Sequence, residues 1–398
     1  MVADEAAPQS WVELDLITIP EPLYTALSDY RNAYRGEPQA PSREQAPYVE
    51  ESGSGAASDA ADGAGKTKRS NNFLKGAVWS PDGSCLLSNC DNNVLHVYDL
   101  PSDCMESEPQ PLDGFSSALD IKEGESVYDY CWYPQMSASE PATCCFATTS
   151  RALPIHIWDA VSGSLKGSYR AYDHLDEITT AYSLAFTPDG DKLFCGYNKM
   201  LRVFDVSRPG RQCKSVPTHQ KKTKEGQSGI LSCISHNPDR QGMMAVGSYH
   251  RTVGVYMAST LELMFVLHGH QGGVTQVRWS ADGNYLYSGG RKDRHILCWD
   301  VRYTQSTVYT IERNTPTTNQ KVTFDIEPCG RHLCTGGEDG YVSVHDLADG
   351  QCVSRFRAAP DCVNGFSFHP SLNLSATASG NRKFLLPGED GSGGGDLE

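Results

Sequence analysis

Residues 268–302 read HGHQGGVTQVRWSADGNYLYSGGRKDRHILCWDVR. Three alternating apolar–polar runs sit in this stretch, and a Ser-Ala-Asp-Gly turn separates the first two. Alternation of that period is the mark of β-strands with one face buried, and Asp-Gly supplies the positive φ that closes a hairpin. The same sentence recurs along the chain: AVWSPDG at 77–83, YCWYP at 130–134, LAFTPDG at 184–190, CISHNPD at 233–239, FDIEPCG at 324–330 and FSFHP at 366–370. Aligned on the proline position, the anchors fall at 81, 134, 188, 238, 281, 328 and 370. Seven units of this length predict a propeller, in which each unit is a four-stranded antiparallel sheet packed between its neighbours.

A second run follows each anchor, as VLHVYD (94–99), IHIWD (155–159), LRVFD (201–205), VGVYM (253–257), ILCWD (296–300) and VSVHD (342–346). With its explicit Trp-Asp pairs, the pattern over residues 71–386 resembles the WD40 repeat family. The predicted fold is therefore all-β, a seven-bladed WD40 β-propeller with a flexible acidic N-terminal segment. Residues 1–70 form that segment, 71–386 the propeller, and 387–398 an acidic Gly-rich tail. Residues 36–70, rich in Pro, Ser, Gly, Ala and acids, read as a linker, and 101–125 as an acidic loop between blades one and two. The last unit shows only three strands (363–369, 374–379, 382–386), so a strand from elsewhere is expected to close the ring. The candidate is WVELDLITI at 11–19, the alternative a short piece near Asn72–Leu74. Phe73, Gly272 and Gly273 are expected to be structural, and the resemblance implies that His270, Ser288, Asp293 and Trp299 form a buried hydrogen-bond network that stiffens blade five.

The chain has 398 residues and a net charge of −15. Taken whole, such acidity argues against a general polyanion binder. It is not evenly spread. Residues 1–65 hold 12 acids and 3 bases, 101–125 hold 7 and 1, and 387–398 hold 4 and none, which leaves the blades mildly basic. No run of 18 apolar residues suggests a membrane helix. The fourteen cysteines, most inside apolar runs and without a C-x-x-C pair, read as reduced core thiols, so neither metal nor other cofactor is expected. No catalytic motif stands out, and an enzyme is not expected.

Propeller topology sorts the loops. The fourth-to-first-strand (d–a) loops and the second-to-third-strand (b–c) turns share one face. The d–a loops are polar: YRAYDHLDEITTAY (169–182), KKTKEGQSGI (221–230), HGHQGGV (268–274), NTPTTNQKV (314–322) and APDCVNG (359–365). Five of the seven b–c turns carry cations: Arg151, Lys199, Arg251, Arg291 with Lys292, and Arg382 with Lys383. A polar mouth ringed by cations suits an RNA strand, and Tyr128, Tyr172 and Tyr249 are candidates for stacking. The expected contacts are Lys221, Lys222, Gln227, Gln271, Arg291, Lys292, Asn319, Gln320 and Arg382. The lysines and arginines would hold phosphate, and Gln and Asn would read bases. The same mouth would also serve a propeller that binds peptides or histones.

The irregular loops carry a narrower likeness. NNFLKGAVWSPDGSC (71–85), RAYDHLDEIT (170–179), GQSGILSCI (226–234), GHQGGVT (269–275), GGRKDRHILCWDVR (289–302), TTNQKV (317–322) and DCVNGFSFHPSL (361–372) are similar to the telomerase Cajal body protein family. That resemblance implies a nuclear, non-enzymatic scaffold that recognises a loop box of small Cajal body RNAs and of telomerase RNA. It implies box H/ACA ribonucleoprotein proteins and the telomerase catalytic subunit as partners, with Cajal bodies and telomeres as locations. The chain departs from the family in its longer linker at 36–70 and in its shorter C-terminal segment.

Overall fold

A β-sheet whose two faces are both apolar has to be covered on both sides, and in the computed structural model each sheet is covered by the next. The structure describes residues 24–25, 72–101, 112–113, 116–220, 222–239 and 242–382. Six four-stranded antiparallel sheets follow one another in strict chain order, and a two-stranded unit completes the series. Blade five shows the plan. Its inner strand Val274–Trp279 pairs with Tyr285–Gly290, which pairs with His295–Asp300, which pairs with the outer strand Thr307–Glu312. The third strands fall on the runs expected, from Val94–Asp99 in blade one to Tyr341–Asp346 in blade six. The cores lie between blades. One combines Cys233, Ala245, Val253 and Val255 of blade four with Val274, Val277, Leu286 and Trp299 of blade five. Outer strands keep only one side covered, which leaves Leu165, Met264, Val308 and Val353 exposed.

The seventh unit, Val363–Phe368 paired with Ser375–Ser379, sits against blade one and completes the ring. The seam repeats a device used elsewhere. In blade four the residue before the anchor proline, Asn237, donates from Nδ2 to Gly283 O in the first turn of blade five (2.8 Å). At the seam His369 does the same, donating from Nε2 to Gly83 O of blade one (2.9 Å). Gly83 has φ 77°, and a Cβ there would strike the His369 ring, so only glycine serves. Asn364 Nδ2 donates to Leu74 O (2.9 Å), and the Trp79 and His369 rings meet edge to face. Leu74 begins the inner strand of blade one, Leu74–Trp79, so the piece near Asn72–Leu74 is not a separate closing strand. The candidate strand 11–19, the linker 36–70, the strand at 382–386 beyond Arg382 and the tail 387–398 lie outside the described residues.

The acidic loop 101–125 is also shorter than read. Leu119–Lys122 is the outer strand of blade one, paired with Val94–Val97. The next residue, Glu123, is buried in blade two. It accepts hydrogen bonds from Thr148, from His156 Nδ1 (3.2 Å) and from Trp158 Nε1 (3.1 Å). Glu123 stands four residues before its blade's inner strand Val127–Trp132, as His270 does in blade five. The network expected in blade five is present: His270 Nδ1 meets Asp293 Oδ2 at 2.8 Å, His270 Nε2 meets Ser288 Oγ at 2.7 Å, and Trp299 Nε1 donates to Ser288 Oγ at 2.8 Å. Burial pushes the Asp293 carboxyl up, but the His270 hydrogen bond and charge overcome it and hold the group at about 2.

Two outcomes follow. His270→Ala is expected to cost about 1–3 kcal/mol in thermal or urea unfolding, since it strands two buried polar groups. The depressed Asp293 pKa makes stability fall as pH descends from about 4 to about 2, because the unfolded carboxyl takes its proton first, and Asp293→Asn flattens that limb.

Candidate nucleic-acid interface

The b–c turns position the cations through their backbone. Each described turn from blade one to blade six holds one residue in the left-handed region. It is Asn93 in blade one (φ 67°), Ala152 in blade two (φ 56°) and Gly340 in blade six (φ 82°). In blades three, four and five it is Lys199 (φ 57°), Arg251 (φ 64°) and Lys292 (φ 49°). Glycine or asparagine would fill such a position with little strain, whereas a long side chain costs on the order of 1 kcal/mol. Three consecutive blades accept that cost to place a cation at the same corner. The segment that carries Lys222 and Lys224 is tied at both ends to Lys199, by Thr218 N to Lys199 O (3.0 Å) and Lys199 N to Gly229 O (2.8 Å). Arg151, Lys199, Lys222, Lys224, Arg251 and Lys292 are exposed, and none makes an ion pair among the described residues.

The other side of the same face differs. Asp91 in blade one and Glu338 and Asp339 in blade six occupy the corresponding turns. Arg382 is consumed there: its guanidinium forks onto Asp91, with Nη2 at 2.9 and 2.7 Å from the two carboxylate oxygens, and Lys75 Nζ adds a second cation at 3.2 Å. Arg382 is therefore a clamp across the ring seam rather than a free cation. The cations form an arc over blades two to five, not a full ring.

The remaining expected contacts divide. Gln271, Lys292 and Asn319 are exposed, as is Lys222. Gln271 donates its backbone N–H to Asp293 Oδ2 (3.1 Å), which leaves its side chain facing outward from a fixed main chain. Gln320 is half-buried and donates to Asn381 Oδ1. Lys221 lies outside the described residues. Gln227 is fully buried: Nε2 donates to Val246 O (2.7 Å) and Thr252 O (3.1 Å), and Oε1 accepts from Tyr256 OH (3.0 Å). It stands four residues before the inner strand Leu231–His236, the register of His270 and Glu123. Sequence polarity pointed outward there; strand register would have pointed inward.

Arg291 meets an aromatic partner. Its guanidinium lies 4.5 Å from the Tyr249 ring centroid, and Nη2 donates to Tyr249 OH at 2.6 Å. No bond to Asp293 forms. The main chain of this turn passes close to Gly272, where a Cβ would strike Arg291 O. Tyr128 stacks on Tyr182, with centroids 5.3 Å apart and planes at 25°. Tyr182 was not among the expected residues, although it directly precedes the inner strand Ser183–Phe186. Tyr172 is covered by Arg211, whose guanidinium lies 4.5 Å from its ring. Lys321, also unforeseen, reaches from blade six to Asp129 of blade two at 3.2 Å.

The WD domain, G-beta repeat family matches residues 163–205 and 261–300. Telomerase Cajal body protein 1 of Mus musculus is 47% identical over 335 residues, covering 82% of this chain and 62% of its own. The Homo sapiens protein of that name is 47% identical over 333 residues, covering 82% and 60%. The Drosophila melanogaster homolog is 36% identical over 322 residues, covering 78% and 58%. The chain belongs to the telomerase Cajal body protein family. It spans about three fifths of the length of these relatives.

The left-handed cations give a discriminating outcome. Lys199→Gly, Arg251→Gly and Lys292→Gly combined should leave the unfolding midpoint unchanged or raise stability by up to about 1 kcal/mol. Gln227→Ala should instead lower it by about 1–3 kcal/mol, by leaving Tyr256 OH and Val246 O without their partner. Thermal unfolding of the two variants checks both.

Proposed function

We propose that this chain is a non-enzymatic RNA-binding scaffold that recognises a loop of a small Cajal body RNA or telomerase RNA and acts in Cajal bodies and at telomeres. The observation that carries the reading is the arc of uncompensated cations on blades two to five, three of them held in left-handed backbone. Lys199, Lys222, Arg251 and Lys292 would neutralise phosphates, while Gln271 and Asn319 would contact loop bases. A basic histone-type peptide would meet like charge on this arc, which disfavours the competing peptide reading. Box H/ACA ribonucleoprotein proteins and the telomerase catalytic subunit would use other surfaces. The outer strands, with exposed Leu165, Met264, Val308 and Val353, offer apolar contact of the kind protein interfaces use.

The chemistry of the interior supports a scaffold. Ser288, His270 and Asp293 resemble a catalytic set in composition, but Ser288 has no exposed surface and shares its oxygen with Trp299. Burial pushes the Cys145 and Cys298 thiols up to about 11, far from the range of a nucleophile.

The test is binding of a short hairpin RNA at a series of salt concentrations. Lys222→Glu with Lys292→Glu should weaken binding at least about tenfold and reduce the salt slope by one to two. Arg382→Ala should leave both unchanged, because Asp91 already neutralises it. Equal binding by the charge-reversed and parent proteins would reject the arc as the RNA surface.

A further inference from the structure

The tyrosines and the two inner cations gather where the inner strands begin, at the mouth of the central channel. Tyr128 lies on the inner strand of blade two and Tyr182 at the start of that of blade three. Tyr249 is in the b–c turn of blade four, where the Arg291 guanidinium lies over its ring. Asp129, next after Tyr128, binds Lys321 Nζ across the channel (3.2 Å) and accepts from Leu184 N (3.0 Å). That ion pair ties blade two to blade six.

Tyr128 is 37% exposed although its ring already lies against Tyr182. More than a third of its surface thus stays open to a further partner. A large apolar ring held by a parallel partner loses little entropy when a third ring is added. The neighbouring wall, Arg291 on Tyr249, supplies a guanidinium fixed by cation–π contact and by the tyrosine hydroxyl. Planar aromatic surface, an adjacent fixed cation and flanking phosphate-binding lysines are the components of a single-strand base site. A peptide side chain would use the ring but gain nothing from the cations around it.

We propose that the mouth holds one unpaired nucleobase, stacked on the open face of Tyr128 as the third ring of the Tyr182–Tyr128 stack. This rests on the RNA reading above and adds a specific subsite to it. The arc of cations holds the backbone, and the mouth takes the base that the loop leaves unstacked. Tyr128 and Tyr182 are then contact and support, and Asp129 and Lys321 are positioning residues that hold the strand carrying Tyr128.

The test is an abasic scan of a loop RNA against the full chain and its variants. In the parent protein, one loop position should lose about 5- to 100-fold in affinity when its base is removed, the range of a base–aromatic stack. Tyr128→Ala should show the same loss with intact RNA and no further loss with that abasic RNA, while Tyr128→Phe stays within about twofold of the parent. Tyr128 is partly exposed, and an unchanged melting profile verifies that Tyr128→Ala is folded. If RNA binds with the expected salt dependence but the abasic and Tyr128→Ala losses simply multiply, the stacking site is wrong and the cationic arc stands. If the parent chain binds no loop RNA, both fall. Binding of an aromatic or proline-rich peptide at the mouth, lost with Tyr128→Ala while RNA binding is not, would also overturn the proposal.

Discussion

No blade of this molecule covers itself. Each hydrophobic core is assembled from the facing sides of two consecutive sheets, so every sheet depends on having a neighbour on both sides. That constraint makes closure of the ring the condition on which everything else rests. The seventh unit meets it with two strands among the described residues, and its join to blade one repeats a contact between blades four and five: a polar side chain before the anchor proline bonded to the carbonyl of the next blade's turn glycine. Arg382 adds a forked ion pair to Asp91 at the seam's surface. A pair this exposed is worth little by itself, so the buried His369 and Asn364 contacts carry the join.

Closure also decides the functional geometry. Once the sheets stand around an axis, every d–a loop and b–c turn is delivered to one face. Loops scattered over 300 residues of sequence become neighbours. Cations that sit about fifty residues apart in the chain, Lys199, Arg251 and Lys292, then line one continuous arc. The backbone reinforces the arrangement, because a left-handed corner in a short turn holds the side chain in one direction. The face is electrically uneven as a result: the cations without an ion pair among the described residues lie over blades two to five, whereas at blades one and six Arg382, Lys75 and Arg355 are paired with Asp91 and Asp339.

Much of this was legible in the sequence, and the limits follow from physics. Repeat spacing and the alternation of apolar residues define the blades, because sheet packing imposes them directly. The His270–Ser288–Asp293–Trp299 network was legible through the resemblance to WD40 repeats, and it forms because buried polar groups need partners. What composition could not separate was an outward polar side chain from an inward one. Gln227 is chemically suited to RNA but occupies the register of His270 and Glu123, where a polar group is needed inside. Arg382 looks like its counterparts until Asp91, 291 positions away in the chain, is seen beside it. Tyr182, Lys321 and Asp129 depend on contacts across the channel, between blades that share no local pattern.

The central claim is that RNA lies on the cationic arc of blades two to five, over a mouth lined by tyrosines. Ultraviolet crosslinking of the chain to loop RNA, with the attached peptides mapped by mass spectrometry, tests it most directly. The account predicts crosslinks within the segments around Tyr128, Lys199, Lys222, Tyr249 with Arg251, and Arg291 with Lys292. Crosslinks confined to the opposite face, at the turns around Gly83, Gly190 and Gly283, or to the outer strands, would contradict it.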